Sequence, residues 1–230
     1  MPEITVPIPP EWQLLAALDR PELLDIPLDD AAQAAFGCDQ DWYGEHWQRQ
    51  AGCGPCTSAT ILYYLALSRP DLSALYTLPA GSQEQFRAFM DQIWQYVTPG
   101  RMGVNEAGML VDGVVRYAGT RAIGLASAIF CIPGLTSSRQ PLESFRDFIV
   151  SGLSRQTPVA FLNLSNGKLD NLDSWHWVTV TALFGDPQGQ LFAELSDSGE
   201  KKRVNLSLWY RTTRLGGAAV YFLPEMEQPG

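Results

Sequence analysis

A cysteine stands at the start of the first strongly helical segment of the chain. Cys53 is followed by Gly54 and Pro55, and then by an apolar pattern of helical period that ends at the Arg-Pro pair at 69–70. Proline is favoured in the first turn of a helix, where its missing N–H costs nothing. The unpaired N–H groups at a helix start stabilise anions, so they favour the thiolate form of a cysteine placed there. Cys53 is therefore a candidate nucleophile, with a small buried apolar residue as the alternative interpretation.

A candidate base and its carboxylate partner lie on a predicted β-hairpin. His176, one of only two histidines, begins an alternating apolar segment; a turn sequence and a second alternating segment that ends at Asp197 follow. If residues 186–189 form the loop, Asp197 lies opposite Val178 and diagonal to His176 on the same apolar face. A carboxylate in that position would orient the imidazole and hold its tautomer. A loop with an odd number of residues would break this register, and a core histidine and a turn aspartate are the alternative interpretations.

Other polar residues near the cysteine are weaker candidates. Gln48, five residues before Cys53, has the reach to stabilise an oxyanion together with the backbone N–H of Cys53. Gln50 and His46 are expected to be solvated surface residues. Cys56, one turn into the helix, is expected to pack in the core.

Composition limits the classes of partner. The 230-residue chain has a net charge of −9, so it lacks the concentrated positive charge that binds nucleic acids or anionic membrane surfaces. No apolar stretch reaches the roughly 18 residues of a membrane span. The N-terminus lacks the basic start and apolar run of a signal peptide. We therefore expect a cytoplasmic protein whose four cysteines are reduced, with no membrane or nucleic-acid partner.

The periodicity predicts helices in the first part of the chain and strands in the second. The predicted helices cover residues 55–68, 82–97, 105–117 with Asn105 as N-cap, and 141–154. The predicted strands cover residues 158–164, 175–183, 190–196 and 218–223. Residues 1–35 are expected to form an irregular arm with one short helix at 11–18, and residues 36–223 the core of a single domain. This order predicts an α+β fold in which helices pack on a mainly antiparallel sheet.

Three motifs together resemble one known family. They are Gln-x4-Cys-Gly-Pro-x-Thr-Ser-Ala at 48–59, the strand His-Trp-Val-Thr-Val-Thr-Ala-Leu from His176, and the strand that ends in Asp197. They resemble the bacteriocin-processing (double-glycine leader) peptidase-like family of the papain-like superfamily, over about residues 40–200. The resemblance implies a papain-like fold and a cysteine peptidase-like hydrolase that acts on a peptide or small acyl substrate without a cofactor or metal. It assigns Cys53 as nucleophile, His176 as base, Asp197 as the orienting carboxylate and Gln48 as the oxyanion donor.

Four alternatives remain open from the sequence. The same site could transfer an acyl or peptidyl group to an amine, or the fold could bind a partner without catalysis. The string Cys-Gly-Pro-Cys also occurs in thioredoxin-like oxidoreductases, which would require a reversible disulfide between Cys53 and Cys56. Cys38, His46, Cys53 and Cys56 together have the ligand types of a zinc site.

Overall fold

The described part of the chain, residues 8–29, 33–79 and 81–225 of a computed structural model, combines nine strands with six α-helices. The strands are β1 Gln13–Ala17, β2 Asp25–Pro27, β3 Ala34–Phe36, β4 Leu125–Pro133, β5 Val159–Asn163, β6 His176–Gly185, β7 Leu191–Asp197, β8 Glu200–Asn205 and β9 Gly216–Pro224. The helices are α1 His46–Ala51, α2 Cys53–Ser68, α3 Gln83–Trp94, α4 Ala107–Thr120, α5 Leu142–Ser154 and α6 Leu206–Thr212. The fold is α+β, as predicted. No helix within the described ranges is long and apolar enough to cross a membrane.

One antiparallel sheet of seven strands forms the centre of the fold. Its strand order is β4-β9-β5-β6-β7-β8, and every pair in it is antiparallel. The long strand β6 pairs with β5 along its first half and with β1 along its second half. Strands β2 and β3 form a separate two-stranded sheet.

Both faces of the central sheet are covered, and each face has its own apolar core. Ala160 and Leu162 of β5 pack in the core that contains α2, α3 and α4. Val159 and Phe161, which alternate with them, pack in the core that contains α5 and α6. Burial on both faces explains why β5 is apolar at nearly every position instead of alternating.

Most of the predicted elements are confirmed, with shifted ends. The four predicted helices correspond to α2, α3, α4 and α5, and the four predicted strands to β5, β6, β7 and β9. The predicted capping role of Asn105 is wrong, because α4 begins at Ala107 with Glu106 in the N-cap position. Strands β4 and β8 and the short helices α1 and α6 are additions that the periodicity did not predict.

The predicted short helix at 11–18 is wrong, because this segment forms strand β1. Its residues pair with the part of β6 that extends past β5, from Gln13 opposite Gly185 to Ala17 opposite Ala182. Trp12, just before the strand, stacks on Phe192 of β7 with 3.8 Å between ring centroids. Pairing with an open strand edge therefore outweighs the local helical pattern. Residues 1–7 and 30–32 of the predicted arm lie outside the described part of the chain.

Candidate active site

The candidate nucleophile lies where two helices join. α1 ends at Ala51, a single glycine follows, and Cys53 is the first residue of α2. A Cβ on Gly52 would meet the Gln48 carbonyl oxygen at 2.4 Å, so only glycine permits so tight a junction. A Cβ on Gly54 would meet Val104 at 2.7 Å. The thiol of Cys53 is free and partly exposed, at a helix start whose first N–H groups have no intrahelical partner.

The hairpin has the predicted register at the site, although its loop is longer than predicted. The loop spans residues 186–190, five residues instead of the predicted four, because Gly185 pairs with Leu191. A bulge in β6 then takes up the extra residue, and Thr179 pairs with Ser196. This pairing has the register that places Asp197 opposite Val178, as predicted. The aspartate at the strand end is therefore diagonal to His176 as expected. The odd loop would have separated the two side chains if the bulge had not restored the register.

His176 and Asp197 form a short, buried hydrogen bond. The imidazole Nε2 lies 2.6 Å from Asp197 Oδ1, and the side chains are 11% and 2% exposed. Because the carboxylate accepts from Nε2, Nδ1 is the ring nitrogen left for a nucleophile. Lys202 Nζ lies 3.0 Å from the other carboxylate oxygen, and Ser198 Oγ donates to Oδ1 at 3.1 Å. The carboxylate is therefore held at both oxygens.

The charges of this group support one another. Burial of the imidazole disfavours its protonation, but hydrogen bonds with Asp197 and Cys53 outweigh burial and raise the pKa of His176 to about 10. Burial likewise disfavours the Asp197 carboxylate, but the bond to His176 and the charge of Lys202 lower the pKa of Asp197 to about 2. An imidazolium bonded to a carboxylate is thus the favoured form at neutral pH.

A small cavity connects the candidate nucleophile to this pair. Its volume of about 20 Å³ is enough for roughly one water molecule. Cys53, His176 and Asp197 all line it, together with Gln40. The structure therefore brings together three of the four side chains that the sequence predicts for the site.

Gln48, the fourth predicted residue, is bonded outside this cavity. Its Oε1 accepts from the backbone N–H of Glu45 at the start of α1, and its Nε2 donates to Asp91 at 3.3 Å. Gln40 instead faces the cavity, and its buried Oε1 has no hydrogen-bond partner in the described part of the chain. An oxyanion role for Gln48 stays a prediction. Sequence reasoning missed Gln40 because it lies 13 residues before Cys53, in a segment that only the tertiary fold brings back to the helix.

A disulfide also lies at this cavity. Cys38 and Cys56 are bonded, with 5.9 Å between their Cα atoms, and both line the cavity. The prediction that all four cysteines are reduced is therefore wrong for these two, and the free thiols are Cys53 and Cys131. The pairing of Cys56 with Cys38 also differs from the bond between Cys53 and Cys56 that a thioredoxin-like site requires. It removes two of the thiolate ligands from the zinc alternative as well.

Comparisons with known proteins identify no family for this chain. No protein-family model matches the chain, and no curated protein matches it. The resemblance to the double-glycine leader peptidases therefore stays a prediction from motifs. The functional proposal rests on the arrangement of Cys53, His176 and Asp197.

Proposed function

We propose that this protein is a cysteine-nucleophile hydrolase of the papain-like kind that cleaves amide bonds in peptides. One observation carries the proposal: His176 bonds Asp197 at 2.6 Å through Nε2, and Cys53 lines the same small cavity as this pair. Covalent acyl transfer requires a nucleophile, a base beside it and a carboxylate that orients the base. The papain-like fold, which the motif resemblance implies, is part of this proposal.

The proposed reaction has two steps. The Cys53 thiolate attacks the substrate carbonyl carbon, and the imidazolium of His176 protonates the amine as the carbon–nitrogen bond breaks. Water then attacks the thioester, giving its proton to His176, and the thiolate leaves. Asp197 holds the ring and stabilises its positive charge in both steps. If an amine replaces the water, the product is a new amide, so hydrolysis and acyl transfer differ only in the second nucleophile.

The oxyanion formed in each step needs two donors. The backbone N–H of Cys53, at the first position of α2, is one of them. For the second we assign the carboxamide of Gln40 in preference to Gln48, because Gln40 lines the cavity and its buried Oε1 has no hydrogen-bond partner in the described part of the chain. A half-turn of that carboxamide exchanges its oxygen for its NH₂ group and presents a donor.

The proposal does not include the cytoplasmic location predicted from the sequence. Disulfides persist in oxidising compartments and are rare in reducing ones. The bond between Cys38 and Cys56 therefore favours an oxidising compartment over the cytoplasm.

Selective alkylation tests the proposed site. Without reductant, iodoacetamide can reach only Cys53 and Cys131, so the exposed Cys131 is an internal reference. At pH 6 we expect Cys53 to be alkylated at least about 10-fold faster than Cys131, because only Cys53 has an imidazole base at its cavity to activate the sulfur. His176→Ala should abolish that difference. His46→Ala, which replaces the exposed histidine at the start of α1, is the matched control and should preserve it.

Peptide cleavage is the second readout. The wild-type protein should hydrolyse members of a peptide library, Cys53→Ser should not, and Cys131→Ser should retain full activity. Equal alkylation of the two thiols in the wild-type protein, combined with no cleavage of any library member, would remove the basis of the proposal.

A further inference from the structure

A second and larger cavity also reaches Cys53. Its volume is about 280 Å³, close to the lower limit of about 300 Å³ that is typical of small-molecule sites. It extends from α1 to the loop at 101–105. It also reaches the end of β5 and the segment just after it, and the residue just before β6. A group bound there would lie next to the candidate nucleophile.

Exposed apolar side chains are concentrated around this cavity. Trp47 and Trp175 are each 46% exposed and Met102 is 61% exposed, and all three line it. They are three of the eight large hydrophobic residues that are exposed in the described chain. Single exposed apolar residues are ordinary, whereas a group around one concave surface indicates binding.

The backbone that carries one of these side chains is unusual. Trp175 has a φ of +57°, in the left-handed region that bulky residues rarely adopt. It directly precedes His176, so this conformation occurs where the indole lines the cavity and the imidazole begins β6. Such backbone conformations concentrate at functional sites.

The cavity has one charged side chain. Arg101 is exposed and is the only charged residue among those of the described chain that line the cavity. No ion pair or side-chain hydrogen bond of Arg101 is found within the described residues. A guanidinium binds a carboxylate through two parallel hydrogen bonds. In a chain of net charge −9, an isolated arginine beside an apolar cavity favours an acidic group on the ligand.

We infer that this cavity binds the acyl side of the substrate and selects a bulky apolar residue accompanied by an acidic one. The inference rests on the proposed function, in which His176 protonates the leaving amine. The cavity is lined by Cys53 and not by His176, so the acyl side of the scissile bond lies here. A substrate with two glycines at these positions would leave the cavity empty and Arg101 without a partner. The substrate class is thus a peptide with an aromatic or large aliphatic residue and a nearby carboxylate before the cleaved bond.

Binding to the inactive variant Cys53→Ala tests the inference apart from catalysis. Three acetylated, amidated dipeptides serve as probes in calorimetric titrations: Glu-Phe, Gln-Phe and Gly-Gly. We expect Glu-Phe to bind at least about 10-fold more tightly than Gly-Gly, the effect of burying a large apolar side chain. Adding Arg101→Gln should make Glu-Phe and Gln-Phe bind equally. Adding Arg155→Gln, which replaces an exposed arginine outside the cavity, should leave their difference unchanged.

The outcomes separate this inference from the proposed function. Equal binding of the three dipeptides, or no binding of any, overturns the inference, as does cleavage by the wild-type protein that shows no preference for bulky residues. Selective binding of Glu-Phe without cleavage of any peptide supports the specificity of the cavity and counts against the proposed hydrolase. Selective binding together with matching cleavage preferences supports both.

Discussion

Replacing Asp197 by asparagine changes the charge beside His176 and almost nothing of the shape. The carboxylate is 2% exposed and accepts from His176 through one oxygen and from Lys202 through the other, at 2.6 and 3.0 Å. A carboxamide has one oxygen and one NH₂ group. Whichever way it turns, its NH₂ group meets a donor, either the imidazole N–H or the ammonium. One of the two contacts is therefore lost, and the other becomes weaker.

The magnitude follows from these contacts. A hydrogen bond to a charged group contributes about 1.5–3 kcal/mol and a neutral one about 0.5–1.5 kcal/mol. Removing a buried charge recovers part of its desolvation penalty. We expect Asp197→Asn to lower the free energy of unfolding by about 1–3 kcal/mol. Loss of the orienting charge should lower kcat/KM by about 10²- to 10⁴-fold, the upper value being that of the same change in a serine protease triad.

Urea unfolding and the alkylation rate of Cys53 measure the two effects separately. Lys202→Met is the matched control, because it removes the contact at Oδ2 and leaves the carboxylate on His176. Lys202 is partly exposed, so its ion pair with Asp197 is intermediate between a surface pair and a buried one. We therefore expect Lys202→Met to lower the free energy of unfolding by about 1–2 kcal/mol and to leave the alkylation rate of Cys53 nearly unchanged. If folded Asp197→Asn alkylates Cys53 at the wild-type rate, the carboxylate does not support the base. If Lys202→Met is equally inactive, the loss reflects the fold of the hairpin instead.

Three further predictions concern the surroundings of the site. Gln40→Ala should lower kcat by about 10²- to 10³-fold in steady-state assays, whereas Gln48→Ala should lower the thermal midpoint and leave kcat nearly unchanged; the reverse result assigns the oxyanion to Gln48. Reduction of the bond between Cys38 and Cys56 should lower the free energy of unfolding by about 3 kcal/mol, the value for a loop of this length, and Cys38→Ser should show that loss without responding to reductant. The pKa of His176 rises from 6.5 to about 10 on folding, so the stability it contributes is fully present below pH 6.5 and is lost as the pH rises towards 10. Urea midpoints across that range should fall more steeply for the wild type than for His176→Gln.

The parts of the site that the sequence predicts are those with local signals. Cys53 is marked by the proline two residues later and by the helical period that follows. His176 and Asp197 are marked by strand alternation on either side of one turn, so their relation follows from pairing geometry. The loop that the sequence predicts, residues 186–189, is one residue shorter than the loop in the structure. The bulge in β6 has no turn residue to indicate it, and the correct register at the aspartate depended on it.

The parts that the sequence could not predict depend on distant contacts. β1 has a helical pattern but pairs with the end of β6 that extends past β5, 165 residues or more along the chain. Lys202 contacts Asp197 because β8 follows a two-residue turn, and β8 was not predicted. The expectation that all four cysteines are reduced rests on cellular compartment alone. A compartment argument carries no information about which sulfur atoms the fold brings together.

The disulfide has a consequence for the site beyond stability. Cys38 lies two residues before Gln40, and Cys56 lies one helical turn after Cys53. The bond between the two cysteines therefore ties the segment that carries the proposed oxyanion donor to the helix that carries the nucleophile. Each half of the proposed oxyanion hole is thus fixed to the other by a covalent link a few residues away. On this geometry, reduction should affect kcat as well as stability, and Cys56 supports the reaction by holding Gln40 in place.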